Sequence, residues 1–200
     1  MNKQEAKAEQ TKAALVDAFW QLYTTKPIEK ISVKDITDLT GVYRSTLYYY
    51  FADIYAILEY IEENILQDWE ALIAETFSRH QKTLLSGNIV ALASLAVPFY
   101  EKHGEHIAVL LSHSGDPLFQ QKIKDTLRSK LFSMLQISTS NTDAQIVFEA
   151  CSSGLLAVFV KVYNEKLPLE YVAQVIQKII NPKLFKTMLS YSTNPVLKLL

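Results

Sequence analysis

Turn-forming residues are scarce in this chain, whose 200 residues include only five glycines and six prolines. An all-β protein of this length needs many tight turns, and glycine and proline supply a large share of them. The chain is 49% hydrophobic and 20% charged, so it has enough apolar material for a packed core. Together these features predict an all-α fold made of long helices.

The charge balance is close to neutral along the whole chain. Residues 1–53 carry seven Lys/Arg and seven Asp/Glu, and the net charge of the chain is -1. This balance weakens a nucleic-acid interpretation based on total charge, although a local basic patch can exist within it. The single cysteine, Cys151, excludes an internal disulfide and indicates a reducing compartment. With a polar N-terminus and no apolar run of membrane-spanning length, we expect a cytoplasmic protein with no membrane partner.

Hydrophobic periodicity and turn residues set the expected helix boundaries. A first helix is predicted at about 7–24 and a long one at about 53–77. Further helices are predicted at about 88–102, 105–113, 116–136, 142–164, 168–180 and 182–190. We expect breaks at Gly104, at residues 115–117 and 138–142, and at Pro168 and Pro182, with a kink at Pro98.

The segment between residues 31 and 51 carries the most specific local signals. Ser32 is a suitable N-cap for a short helix, and Asp35 stands at its third position, which together form a capping box. Ile36 and Leu39 are expected to face inward. Gly41 follows at the position where a left-handed residue usually ends a helix. The pattern predicts a short helix followed by a tight glycine turn.

A second short helix is predicted directly after that turn, at about 43–51. Leu47 and Phe51 are four residues apart and can pack against the first two helices. A helix, a glycine turn and a second short helix form the helix-turn-helix arrangement, whose second helix enters the major groove of DNA. Arg44, Ser45 and Thr46 lie near the start of this helix, where base edges are reached, and arginine can contact guanine through two hydrogen bonds.

The sequence TKAALVDAFWQLYTTKPIEKISVKDITDLTGVYRSTLYYYF resembles the DNA-binding domain of TetR-type transcriptional regulators. The matching positions are Gly41, Val42, Thr46, Leu47, Tyr48 and Phe51, together with the Asp35-Ile36 pair. The resemblance implies a helix-turn-helix DNA-binding domain at 1–53, joined by a long helix to an effector-binding and dimerisation domain at 54–200. It also implies a set of DNA contacts, to which Lys34 adds positive charge: Ser32, Tyr43, Arg44, Ser45, Thr46, Tyr48, Tyr49 and Tyr50.

Three residues depart from the family pattern. Tyr43 stands where the family often has a small N-cap such as serine, and Tyr50 stands where histidine is common. Ile54 replaces a lysine that the family often directs at a phosphate. Without that cation, we expect weaker nonspecific DNA affinity and a smaller salt dependence. Packing is the alternative role for Tyr43, Tyr48 and Tyr50, since aromatic side chains four residues apart usually pack.

The resemblance implies a sequence-specific DNA-binding regulator, acting as a repressor that a small-molecule effector releases from a palindromic double-stranded DNA operator. It also implies a homodimer formed mainly by the last two long helices. Residues 144–163 are apolar nearly all round, which is typical of a helix buried on both sides. We expect this helix and 168–180 to pair with their symmetry mates, the alternative being the core of a monomer. Another possible function is that of a regulator-like helical protein that acts through a partner protein.

The remaining candidate residues belong to the C-terminal part. Large or polar side chains there are candidates for ligand contact, with ordinary core packing as the alternative: Trp69, Phe99, Tyr100, His103, Met134, Phe148, Cys151 and Phe159. His103, His106 and His113 lack a supporting Cys or carboxylate cluster, so we predict no metal site. No glycine-rich phosphate loop or hydrolase motif occurs, and we expect neither an enzyme nor a cofactor. Glu62 and Glu63 are expected on a solvent-exposed face.

Overall fold

A computed structural model of the chain describes residues 3–80, 82–83, 88–112, 115–179 and 187–195. Within these ranges the regular structure is helical, apart from an isolated β-bridge between Ile137 and Ser192. The prediction of an all-α fold is therefore confirmed. The α-helices are α1 (Lys3–Tyr23), α2 (Val33–Thr40), α3 (Arg44–Tyr50), α4 (Ile54–Arg79), α5 (Ile89–Leu110), α6 (Phe119–Met134), α7 (Thr142–Glu165) and α8 (Leu169–Ile179).

The chain divides into two compact units, Met1–Ile65 and Leu66–Leu200. The first unit contains α1, α2, α3 and the first three turns of α4, because the apolar residues of those turns belong to its core. Tyr60 of α4 lies edge-on to the ring of Phe51, and the ammonium of Lys12 lies 3.8 Å from the centroid of the Tyr60 ring. The unit therefore continues past residue 53, where the sequence places the end of the DNA-binding domain.

The core of the first unit is a set of fully or nearly fully buried apolar side chains from all four helices. Three of these side chains belong to α1, and the others come from the segments that follow it: Leu15, Phe19, Tyr23, Ile31, Ile36, Leu47, Phe51, Ile57, Ile61 and Ile65. Two expectations about this unit are wrong. Leu39 is 56% exposed, because α2 has only eight residues and turns its buried face toward α1 through Ile36. Glu62 is 2% exposed, because it lies on the same face of α4 as the buried Leu58 and Ile65.

The second unit is built around α5, which packs against both α7 and α8, while α6 packs against α7. The predicted break at Gly104 is wrong, since α5 continues through it from Ile89 to Leu110. Gly104 is buried, and a Cβ atom there would lie 3.2 Å from the ring of Tyr163 on α7. The glycine therefore leaves room for the ring of Tyr163 and does not end the helix. Pro98 lies inside the same helix.

The breaks predicted at residues 115–117, at residues 138–142 and at Pro168 are confirmed. α6 begins after the first, Asn141 caps α7 through a hydrogen bond from the backbone N–H of Ala144, and α8 begins after Pro168. The predicted helix at 182–190 lies partly outside the described residues, of which 187–190 are helical. Pro182 and His113 also lie outside the described ranges. A separate hydrophobic cluster joins α6, α7 and residues 188–189: Phe132, Leu135, Ile137, Ala144, Phe148, Met188 and Leu189.

Candidate functional site

The start of α2 is fixed by a complete capping box. The backbone N–H of Asp35 donates to Oγ of Ser32 at 3.2 Å, and the backbone N–H of Ser32 donates to Oδ2 of Asp35 at 2.9 Å. The ammonium of Lys26 donates to the same Oδ2 at 3.0 Å. The hydrogen bond from Lys26, followed by those from Ser32, lowers the pKa of Asp35 from 3.8 to about 2. The predicted cap is confirmed, and it sets the direction of the helix that precedes the turn.

The turn between α2 and α3 depends on Gly41, whose φ of 68° and ψ of 9° lie in the left-handed region. Its N–H donates to the carbonyl oxygen of Thr37, which closes the last turn of α2. The hydroxyl of Thr40 donates to the carbonyl oxygen of Ile36 and accepts from the N–H of Val42, which ties the turn back to the helix. Residues with a Cβ rarely adopt this conformation, so glycine is required here by backbone geometry.

Helix α3 has one buried face and one exposed face. Leu47 is fully buried and Phe51 is 5% exposed, and these two residues anchor the helix to the core as predicted. Arg44 and Ser45 are exposed at its first turn. Tyr43 occupies the N-cap position without a side-chain cap, as expected for a residue that lacks a short polar side chain.

The tyrosines of α3 and its N-cap mostly face solvent. Tyr43 is 83% exposed, Tyr49 is 81% exposed and Tyr48 is 55% exposed, so the packing role considered for Tyr43 and Tyr48 is wrong. Tyr50 is half-buried and lies edge-on to Tyr49, with ring centroids 5.0 Å apart. Thr46 is half-buried, whereas Ser32 and Lys34 are exposed near the start of α2. A single exposed surface, which we call the α3 face, therefore combines Arg44, Ser45, Tyr48 and Tyr49.

The first turn of α4 lacks the cation that the family often has there. Ile54 is half-buried, and the preceding Asp53 accepts a hydrogen bond from the backbone N–H of Ala56 at 2.8 Å. Asp53 thus caps the N-terminus of α4, and its negative charge opposes phosphate binding at this point.

The second unit contains a cavity of about 400 Å³ between α4, α5, α6, α7 and α8. Volumes of this order are typical of small-molecule sites. Its lining is aromatic and aliphatic: Trp69, Leu92, Ala93, Ala96, Phe99, Tyr100, Ile107, Ile123, Leu155, Leu156, Val158, Phe159, Val162, Leu169, Val172, Ala173 and Ile176.

An aromatic and polar chain of contacts supports one wall of this cavity. Trp69 packs on Phe99 with ring centroids 5.4 Å apart, and Phe99 packs on His103 at 5.1 Å. Nε2 of the buried His103 lies 2.6 Å from Oδ2 of Asp68, which also accepts from the ammonium of Lys102. The hydrogen bonds from Lys102 and His103 lower the pKa of Asp68 below its usual value. These contacts place the ring of Trp69 against Phe99 of α5.

Four of the eight residues singled out as ligand candidates line the cavity, namely Trp69, Phe99, Tyr100 and Phe159. The other four have different positions. His103 is hydrogen-bonded to Asp68 and is not part of the lining. Met134 is 38% exposed at the end of α6. Phe148 belongs to the separate cluster with Phe132, and Cys151 is half-buried away from the lining. Burial raises the pKa of the Cys151 thiol, which disfavours the reactive thiolate.

Sequence reasoning missed the aliphatic residues of α8, which form a large part of the lining. Leu169, Val172, Ala173 and Ile176 follow the i, i+3, i+4, i+7 spacing of an amphipathic helix. This spacing identifies an inward face, but it does not distinguish a packed core from a cavity. Among the described residues, no group of three or more His, Cys, Asp or Glu is arranged to hold a metal ion.

Comparison with known proteins gave one structural likeness. No protein-family model and no curated protein matches the sequence. The chain is similar to the crystal structure of the TetR family repressor AlkX from Dietzia sp. strain DQ12-45-1b, which is implicated in biodegradation of n-alkanes. The TM-score is 0.48 and the sequence identity is 17%, and the match covers 88% of this chain and 95% of AlkX.

Proposed function

We propose that this protein is a sequence-specific DNA-binding transcriptional regulator that acts as a repressor. In this proposal the α3 face enters the major groove of a palindromic operator, and a small molecule in the cavity of the second unit releases the DNA. The protein works as a cytoplasmic homodimer and has no enzymatic activity. The family resemblance of residues 11–51 agrees with each part of this proposal.

The observation that carries the proposal is the exposure of the α3 face. A helix anchored by the fully buried Leu47 projects Arg44, Ser45, Tyr48 and Tyr49 into solvent. Large exposed aromatic side chains beside an arginine are unusual on a helix that has no partner. Arginine at the first turn suits bidentate contact to guanine, and tyrosine hydroxyls suit phosphate oxygens.

A homodimer is supported by the surface of α7. By length and composition this helix is apolar enough to span a membrane, yet only 17% of its most apolar window is buried within the chain. Ile146 is 62% exposed, and Ala150, Gly154 and Ala157 are also exposed on α7. A Cβ at Gly154 would meet no atom within 4 Å. A second copy paired by twofold symmetry would cover this surface and would present two α3 faces to two half-sites.

Effector control is supported by the cavity and by the continuity of α4. This helix runs without interruption from Ile54, just after the α3 segment, to Arg79, and Trp69 on it lines the cavity. A ligand shifts DNA affinity only if it binds the two conformations with different affinity. In the proposal, ligand contact with α4 changes the spacing of the two recognition helices.

The test is selection of DNA duplexes by the purified full-length protein from a random pool at moderate salt, followed by sequencing. We expect enrichment of a palindrome with half-sites about one helical turn apart. Arg44→Ala should relax the preference at one position of each half-site, at a cost of about 1–3 kcal/mol. The matched variant Lys34→Ala should weaken all duplexes alike and reduce the salt dependence. Absence of any enriched sequence contradicts the proposal.

The second candidate function is regulation through a partner protein. The replacement of a phosphate-directed cation by Ile54 and the neutral charge of residues 1–53 favour it. Affinity purification of the full-length protein distinguishes the two, because this candidate requires a protein that binds in nuclease-treated extracts. It also requires that Arg44→Ala disrupt that complex while no operator is enriched.

A further inference from the structure

The cavity of the second unit has a lining without formal charge. Among the described residues that form it, only Trp69 and Tyr100 carry polar side-chain atoms. Burial raises the pKa of the Tyr100 hydroxyl, so that phenol stays neutral at physiological pH. The carboxylate next to Trp69 in the sequence, that of Asp68, is hydrogen-bonded to Lys102 and His103, and neither Asp68 nor its two partners line the cavity. A charged ligand would lose its hydration here without gaining an opposite charge.

The indole N–H of Trp69 is buried and has no hydrogen-bond partner among the described residues. A buried donor without a partner is rare in native proteins, because the lost hydration is not replaced. The ring packs against Phe99 with centroids 5.4 Å apart, and its N–H has an exposed area under 1 Å². A small rotation of the indole, whose ring lines the cavity, would bring this donor to an acceptor atom on a ligand there.

We propose that the cavity binds an uncharged, largely apolar molecule that carries a hydrogen-bond acceptor, and that the acceptor is bound by the indole N–H of Trp69. Because the lining is almost entirely apolar, the ligand must be apolar over most of its surface. The indole is a donor only, which selects an acceptor such as a ketone, ester or ether oxygen over a second donor. A hydrophobic wall with a few directed polar groups is the usual composition of a specific small-molecule site.

Trp69 also determines how the ligand reaches α4. It is the residue of α4 that lines the cavity within the described part of the chain, and its neighbour Asp68 is held by His103. The hydrogen bond to Trp69 is therefore the ligand's polar contact with the helix that continues into the first unit. This part of the inference rests on the proposed function, because it identifies the ligand as the effector.

The first experiment measures binding to the full-length protein without DNA, by calorimetry. The probes are naphthyl and decyl compounds, each carrying a methyl ketone, a carboxylate, an ammonium group or only hydrocarbon. On at least one scaffold the ketone should bind at least tenfold more tightly than the carboxylate and the ammonium compound. Equal binding of a charged compound, or no binding on either scaffold, overturns the inference.

Two matched variants identify the donor. Trp69→Phe keeps an aromatic ring but removes the donor, so it should reduce the preference for ketone over hydrocarbon about two- to tenfold. Tyr100→Phe removes the other polar group and should preserve the preference for ketone over hydrocarbon. If Tyr100→Phe abolishes that preference and Trp69→Phe does not, the assignment of the donor is wrong. An unchanged circular dichroism spectrum shows that each variant keeps its fold.

Fluorescence locates the bound molecule independently. The chain has two tryptophans, and Trp20 lies in the core of the first unit, so Trp20→Phe leaves Trp69 as the reporter. The ketone should change the emission of Trp69 with the affinity measured by calorimetry, and an unchanged emission contradicts binding at this site. Both readouts are independent of DNA, so a protein that passes them but enriches no operator would refute the proposed function alone.

Discussion

The two units of this protein present their candidate sites in opposite ways. In the first, polar and aromatic side chains project outward from a small closed core, and Tyr43 and Tyr49 are more than four-fifths exposed. In the second, aliphatic and aromatic side chains surround a cavity of about 400 Å³. A surface site needs a tightly packed support, because the helix that carries it must keep its orientation. A ligand site instead needs a space that the protein's own side chains leave unfilled.

The largest expected effect comes from removing the buried residue that supports the α3 face. Leu47→Ala should destabilise the first unit by about 2–5 kcal/mol, because Leu47 is fully buried beneath α3. The matched control, Leu39→Ala, changes a leucine that is 56% exposed and should cost no more than about 0.5 kcal/mol. Urea denaturation followed by circular dichroism measures both. Similar costs for the two variants would show that α3 does not depend on this anchor.

The same substitution in each unit tests the difference in packing. Ala18→Phe places a ring in the closed core of the first unit, where Ala18 is 6% exposed, and should cost about 1–3 kcal/mol through overpacking. Ala96→Phe fills part of the cavity and should be nearly neutral for stability while it weakens binding of apolar ligands. Thermal unfolding and calorimetric titration measure the two effects. A large loss of stability for Ala96→Phe would indicate that the cavity has no room for a ring.

Substitutions of Gly41, in the turn before α3, should change stability through backbone conformation alone. Gly41→Ala should lower the free energy of unfolding by about 1–2 kcal/mol, because the left-handed φ of 68° is strained for a residue with a Cβ. The added Cβ itself would meet no atom within 4 Å, so no steric clash contributes. Gly41→Asn is the control, since asparagine tolerates this region better and should lose less. Chemical denaturation gives the comparison, and equal losses for the two variants would argue against backbone strain as the cause.

The smallest expected effect concerns pH. The folded-state pKa of Asp35, about 2, lies below its ordinary value of 3.8, mainly because Lys26 donates to its carboxylate. Its stabilising contribution is therefore complete above about pH 4 and is lost as the pH falls toward 2. Asp35→Asn should lower the urea midpoint at pH 7, and the difference from the unmodified protein should shrink at pH 2. A difference that is independent of pH would exclude the carboxylate charge as its source.

The sequence predicted the first unit in more detail than the second, for a physical reason. The cap at Ser32, the left-handed turn at Gly41 and the anchor at Leu47 depend on residues within about fifteen positions of one another. Such local signals are encoded in spacing. The inward position predicted for Leu39 is wrong, because a helix of eight residues buries only a narrow face.

The cavity, in contrast, depends on where five helices fail to fill space, and no local pattern encodes that. Ala96 and Val172 are ordinary core residues by sequence, yet both line the cavity. The sequence predicts a helix break at Gly104, whereas this glycine leaves room for the Tyr163 ring of α7 beside α5. In both cases the decisive neighbour lies far away in the sequence, so composition and periodicity could not identify the role.

Sequence recognition by the α3 face is tested by comparing the binding of two DNA duplexes to the full-length protein at moderate salt. One duplex carries the selected palindrome, and the other has the same composition with both half-sites scrambled. We predict that fluorescence anisotropy gives at least about a thousandfold tighter binding to the palindrome, as is typical of specific recognition. Equal affinity for the two duplexes would contradict the claim that the α3 face reads DNA sequence.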